Sequence, residues 1–298
     1  MRGAAGYGEL LDALRGVTWP ARRAARSGTT GTHRSRLRGV SPEFTEYRPY
    51  RQGDDPRRLD WRLLARTDRA YLRITSDRAT LSTLILVDGS ASMAFPEKSL
   101  GKWNHARRLA IGLAGVAHGS GDPVAVAVVT GRGTIRTEPR TRRGVVTDCA
   151  RLLDAAAPTG RVELGQAMQQ LRPAQAAPTR RLAVISDFLG DVEAMLKPAR
   201  ALLSEGGEVL AIHVVASEEL FPASDAIFAT DPEQDEIKRA LTPDTLDAYA
   251  RQFAEWREGL ARQWRAVGGQ YELTVTDESP ERAIRRIARS EREGEEVR

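Results

Sequence analysis

Three oxygen-bearing side chains, Asp88, Ser90 and Ser92, alternate through the segment Val87-Asp-Gly-Ser-Ala-Ser-Met93. Alternation lets a carboxylate and two hydroxyls converge on one point. Oxygen donors grouped in this way suit a hard cation, Mg2+ or Mn2+, and the same residues also suit a turn that caps the next helix. A second acid, Asp187, ends a comparable stretch, Leu182-Ala-Val-Ile-Ser-Asp187. No general base or activated nucleophile stands beside these residues. His105 and His118 share a segment without metal-ligand spacing, His33 and His213 lie elsewhere, and Ser90 would need a base in reach to attack anything.

The elements that must hold these groups are legible as runs. Leu84-Ile-Leu-Val87 is continuously apolar and rich in β formers, the pattern of a strand buried on both faces. It stops at Asp88, where Gly89 is expected to let the chain turn. Lys102 to His118 reads as a helix with a stripe of Trp103, Ala106, Leu109, Ala110, Leu113, Ala114 and Ala117, followed by a strand at 123–130. Gly131-Arg-Gly133 turns into Thr134–Thr137, an edge hairpin. Helices at 145–156 and 162–171, a strand ending at Asp187, a helix at 191–205 and a strand at 209–215 follow. Strand alternating with helix at these lengths predicts an α/β fold, a doubly wound and mostly parallel sheet with right-handed crossovers. In such an order the strands ending at Asp88 and Asp187 lie side by side at the switch point, where ligands bind.

Flanking segments are less regular. Leu10, Leu11, Leu14 and Val17 mark a short helix, and the Arg-rich run 22–38 reads as flexible or surface-tracking chain. Gly53-Asp-Asp-Pro56 is turn chemistry, a short helix follows from Asp60 to Arg66, and Tyr71–Thr75 alternates like a strand. The density of Asp and Arg here suits a structural salt-bridge lattice. Residues 218–243 read as a loop with a turn-rich insert. Leu246, Tyr249, Phe253, Trp256, Leu260, Trp264 and Val267 then trace one face of a long helix, a core stripe, before a strand at 271–275 and a charged helix at 280–292. The expected division is an N-terminal extension at 1–80, a main domain at 81–277 and a charged C-terminal helix at 278–298.

Composition narrows the function. The chain has 298 residues, 41% hydrophobic and 29% charged, enough for a sizeable core. No apolar run approaches the roughly 20 residues that span a bilayer, and the first residues lack a secretory pattern. Cys149 is the single cysteine, which excludes an internal disulfide or a thiolate metal cluster. A cytoplasmic location is expected. Residues 1–80 hold 17 Arg against 9 Asp and Glu, while the whole chain carries +5. That end could meet an anionic membrane or another acidic surface, but no aromatic-interleaved basic patch points to nucleic acid. No glycine-rich loop followed by Lys-Ser/Thr argues for nucleotide.

The Asp88-x-Ser90-x-Ser92 motif resembles the metal-ion-dependent adhesion site of von Willebrand factor type A domains. A longer match is more specific. Tyr50-Arg-Gln-Gly-Asp-Asp-Pro-Arg-Arg-Leu-Asp-Trp61, with Ala65-Arg66 after it, resembles the signature of the bacterial domain-of-unknown-function 58 family. In that family the signature precedes a von Willebrand A-like domain, and the resemblance covers about residues 30–220. Many members carry transmembrane helices upstream; this chain resembles those without. By resemblance Ser90 and Ser92 ligate the metal directly, Asp88 acts mainly through water, and Asp187 completes the outer shell. The family's threonine ligand would come from Gly160-Arg-Val-Glu-Leu-Gly165, where it falls on Val162, which has no oxygen to give; Glu163 is the adjacent acid able to reach in. Members are commonly encoded beside MoxR-type AAA+ ATPases. The resemblance therefore implies a non-enzymatic adaptor that works with such an ATPase on a client protein. The alternatives from other classes are a metal-dependent phosphoesterase using Asp88 and Asp187, and an electrostatic binder of anionic surfaces through residues 1–80.

Overall fold

The computed structural model describes residues 5–21, 30–39, 46–50, 59–79, 81–171, 180–222, 228–231, 234–240 and 243–289. In chain order, these contain helix α1 (Gly8–Ala13), strands β1 (Thr30–Gly39) and β2 (Glu46–Pro49), α2 (Trp61–Thr67), β3 (Tyr71–Ala79), β4 (Ser82–Gly89), α3 (Gly101–Gly119), β5 (Val124–Thr130) and β6 (Gly133–Arg136). There follow α4 (Val145–Ala155), α5 (Leu164–Gln170), β7 (Arg180–Ser186), α6 (Val192–Ser204), β8 (Glu208–Val215), α7 (Ser217–Leu220), β9 (Phe228–Asp231), β10 (Gln234–Ala240), α8 (Pro243–Ala266), β11 (Gln270–Val275) and α9 (Pro280–Arg289).

The main sheet has six strands in the order β11-β8-β7-β4-β5-β6. Every neighbouring pair is parallel except β5 with β6, the edge hairpin expected from Gly131 and Gly133. The chain builds outward from β4 to β6, then returns to lay β7 against the other side of β4. That reversal is the topological switch point of a doubly wound α/β fold.

β4 shows why the apolar runs end up central. Alternate side chains leave opposite faces, so Ile85 and Val87 enter one core and Leu84 and Leu86 the other. The first core lies under α1, α3, α4 and α9, with Trp103, Leu109, Leu113, Ile284 and Ile287 fully buried. The second lies under α5, α6 and α8, where Leu196, Leu202, Leu260 and Trp264 pack. Leu10, Leu14 and Trp19, upstream of the Arg-rich run, belong to the first core too.

Two segments differ from the sequence-based expectation. The Arg-rich run contains a strand, β1, antiparallel to β3, which also pairs with β2 in a separate three-stranded sheet. The stretch expected to be loop at 218–243 contains α7 and an antiparallel hairpin, β9 with β10. In both cases a partner strand supplies the order that polar composition hides. The expected turn at Gly53–Pro56, residues 22–29 and residues 290–292 lie outside the described residues. Asp60 is described, and its carboxylate accepts from the Arg62 and Leu63 amides, capping α2.

α5 and α6 touch at Gly165. A Cβ there would sit 2.5 Å from the Ala194 carbonyl oxygen, which no side chain tolerates. Gly165→Ala is expected to push the two helices apart and cost about 1–3 kcal/mol, readable as a lower midpoint in urea unfolding. An unchanged midpoint would mean the helices yield freely.

Candidate functional site

The register of β4 and β7 decides what meets above the sheet. Val87 pairs with Ile185, so the next residues, Asp88 and Ser186, are neighbours as both strands end. Asp88 accepts from the Ser186 hydroxyl at 2.6 Å through Oδ2 and from the Ser90 amide at 2.9 Å through Oδ1. Both oxygens are thus fixed, and the carboxylate cannot rotate away. Gly89 is needed for space: a Cβ would lie 2.9 Å from the Val129 carbonyl oxygen of β5. Its backbone is not left-handed, so the sharp turn expected of it is not the reason it is glycine.

The Ser90 and Ser92 hydroxyls lie 3.0 Å apart and are buried. The loop before α5 closes over them through its backbone: the Ala91 amide donates to the Gly160 carbonyl, and the Thr159 amide to the Gly89 carbonyl. A small cleft opens here, lined by Asp88, Ser90, Ser92, Asp187, Val162 and Glu163 among others. All five sequence-predicted site residues therefore come to one place. Val162 packs against the apolar core and Thr159 is held by its backbone, so this loop brings no threonine to the ligand position inferred above.

Electrostatics set the character of the cleft. Burial, and after it the neighbouring Asp187 carboxylate, pushes the Asp88 pKa up to about 6. Asp187 receives a partner that the sequence reading did not assign to the site. Lys102, at the start of α3, is 1% exposed and donates to Asp187 Oδ2 and Glu219 Oε1, both at 2.8 Å. Burial alone would lower the lysine pKa, but the two carboxylates overcome this and leave it raised. Glu219 Oε2 in turn accepts from the Ala216 amide at the start of α7. One signal for Lys102 was available: spacing of 102, 106, 109 and 113 puts it on the buried stripe of α3. Ser186 and Glu219 carried no comparable signal.

Do these groups fit a divalent cation? Two oxygens 3.0 Å apart match the edge of an octahedron around Mg2+, where bonds of about 2.1 Å give about 3.0 Å between adjacent oxygens. Two buried carboxylates supply negative charge. Among the described residues no three His, Cys, Asp or Glu side chains form a metal cluster, so a cation here depends on serine hydroxyls and water. The set fits a hard, partly hydrated ion.

Removing the Asp88 charge should relieve the cleft. Since its pKa stands above the unfolded value of 3.8, ionisation destabilises the fold as pH rises through 4 to 6. Asp88→Asn, assayed without divalent ions, is expected to be more stable than the parent by about 2–3 kcal/mol at pH 7.5 and to lose that advantage near pH 4. Equal melting at both pH values would contradict it.

The chain is similar to several known proteins. Uncharacterized proteins of Mycobacterium tuberculosis and Mycobacterium bovis are 30% identical over 99% of this chain and 93% of their own. Among solved structures, an aerotolerance-related membrane protein of Bacteroides fragilis, crystallised with multiple mutations to serine, aligns over 70% of this chain and 99% of its own at 19% identity and a TM-score of 0.47. A von Willebrand factor type A protein from Catenulispora acidiphila aligns over 73% and 43% at 12% identity and a TM-score of 0.39. The family described as "Protein of unknown function DUF58" matches residues 46–259, and the chain belongs to that family.

Proposed function

We propose that the protein is a non-enzymatic interaction adaptor whose cleft contacts a carboxylate of a partner protein through Mg2+ or Mn2+ held by Asp88, Ser90, Ser92 and Asp187, with Glu163 at its mouth. When bound, the ion would offer an open oxygen position, and because the serine hydroxyls are neutral ligands it would keep an attraction for a further carboxylate. The observation that carries this reading is the company the hydroxyls keep. Each pairs with the other, while His105 bonds to Thr274, His213 to Tyr271 and His118 to the Thr141 carbonyl. A serine nucleophile would need a base in reach, and among the described residues none of these rings stands at the cleft. The resemblance to the MoxR-associated family supports a MoxR-type AAA+ ATPase as the partner, with the adaptor carrying a client to it. Among the described residues no helix is long and apolar enough to cross a membrane.

Pull-down with a MoxR-type AAA+ ATPase tests this directly. Capture is expected with Mg2+ present and is expected to fall away with chelator or with Asp88→Ala. Capture indifferent to both would remove the cleft from the interaction, and no capture in any state would remove the ATPase.

A further inference from the structure

The buried lysine beside the cleft has no evident need to be there. Its stem and ammonium lie inside the protein, and its two partners come from separate elements: Asp187 from the end of β7, Glu219 from α7. An apolar residue at the start of α3, with neutral residues at its two partners' positions, would avoid burying the Lys102 and Asp187 charges and half-burying that of Glu219. We propose that Lys102 sets the cation affinity of the cleft: its fixed positive charge opposes a divalent ion beside Asp187 and keeps that carboxylate turned partly away from it. The inference rests on the cation reading given above and adds its regulation.

The charge count explains how. Asp88, Asp187 and Glu219 are three acids, and Lys102 cancels one of them. A cleft holding all three uncompensated would seize a divalent ion from any solution. With the lysine in place one of the three acid charges is cancelled, so the ion is held more loosely, and a partner's carboxylate adds a further anionic ligand. Cation and partner then strengthen each other's binding, as linkage requires. Lys102 acts through Asp187 and is a positioning residue.

The test is Mn2+ titration by calorimetry, with thermal melts in parallel, of the full chain, Lys102→Met and Glu219→Gln. Methionine keeps the volume of the lysine stem. In Lys102→Met the apparent affinity for Mn2+ is expected to rise about tenfold or more, since a unit charge near a divalent ion is opposed only by an effective dielectric of about 20. Its ion-free melting temperature is expected to fall and Mn2+ to restore it. Glu219→Gln, which frees the lysine charge toward Asp187, is expected to weaken Mn2+ binding several-fold. Damage to the site would weaken binding in both variants, so tightening in the first is the diagnostic result. If the parent binds Mn2+ and a folded Lys102→Met binds it no better, the inference falls and the cation reading stands. If neither binds, the cation reading falls and takes the inference with it. Should Lys102→Met not fold, the double variant Lys102→Met/Glu219→Gln, which removes the pair as a unit, is compared with Glu219→Gln: tighter Mn2+ binding in the double variant supports the proposal, and equal or weaker binding overturns it.

Discussion

Replacing Arg181 with methionine is expected to destabilise the fold by about 3–5 kcal/mol, the cost of breaking one side of a buried ion pair. Arg181, on β7, is 1% exposed. Its guanidinium meets the buried Glu208 carboxylate of β8 at 3.1 Å, donates to the Trp19 and Pro20 carbonyls, and lies 4.0 Å from the centre of the Trp19 ring. One side chain thus joins two strands of the sheet to the segment that follows α1. Methionine would fill the volume but leave Glu208 in the interior without that cation, and would remove the cation–π contact and both carbonyl partners together. Urea unfolding should show the loss, and proteolysis should reach residues 15–21 sooner in the variant. A loss under about 1 kcal/mol would mean that the packing of Tyr7, Leu10, Leu14 and Trp19 holds the N-terminal segment without the arginine.

Acidification from pH 7 to pH 4 should destabilise the protein by an amount on the order of 4 kcal/mol. His105 and His213 are both buried. Burial lowers the first to about 4 and the second to about 3 from an ordinary value of 6.5. For a histidine held below its unfolded value, the unfolded chain takes up the proton first, so stability is full above 6.5 and is lost as pH falls through 6 toward 4. Each ring contributes about 3 kcal/mol over that range, against about 2 kcal/mol returned by Asp88, whose shift has the opposite sign. His213 cannot take up a proton cheaply in the folded protein: Phe188, Trp256 and Tyr271 surround it edge-on, and its Nδ1 lies 2.5 Å from the Tyr271 hydroxyl. His213→Gln should flatten the pH profile by about half of the histidine contribution, measured as urea midpoints across the range. A profile as steep as the parent's would place the titration elsewhere.

How far the sequence carried this account depends on which interactions are local. The unbroken apolar runs Leu84–Val87 and Leu182–Ile185, and period 3.6 through α3 and α8, specify elements without knowledge of their neighbours. Right-handed crossover then leaves few orders for the sheet, so the meeting of Asp88 with Asp187 was legible before any coordinates. The Lys102 bridge was not. It joins positions 85 and 117 residues away, and a charged residue at a helix start usually faces water. The seat of α1 was equally hidden. Leu11 and Leu14 advertise a helix, but only the absent side chains of Gly115 and Gly112 on α3 make room for them. β1 and the β9–β10 hairpin were missed because each draws its order from a strand partner, which composition does not record.

The cation is the hinge of the functional account, and free Mn2+ followed by electron paramagnetic resonance measures it without reference to any partner. Added to the full chain at pH 7.5, Mn2+ should lose its free-ion signal in a saturable way, and the doubly substituted Ser90→Ala/Ser92→Ala protein, folded by circular dichroism, should leave the signal intact. Loss of signal that is the same in both proteins, or none in the parent at millimolar Mn2+, would contradict the proposed site.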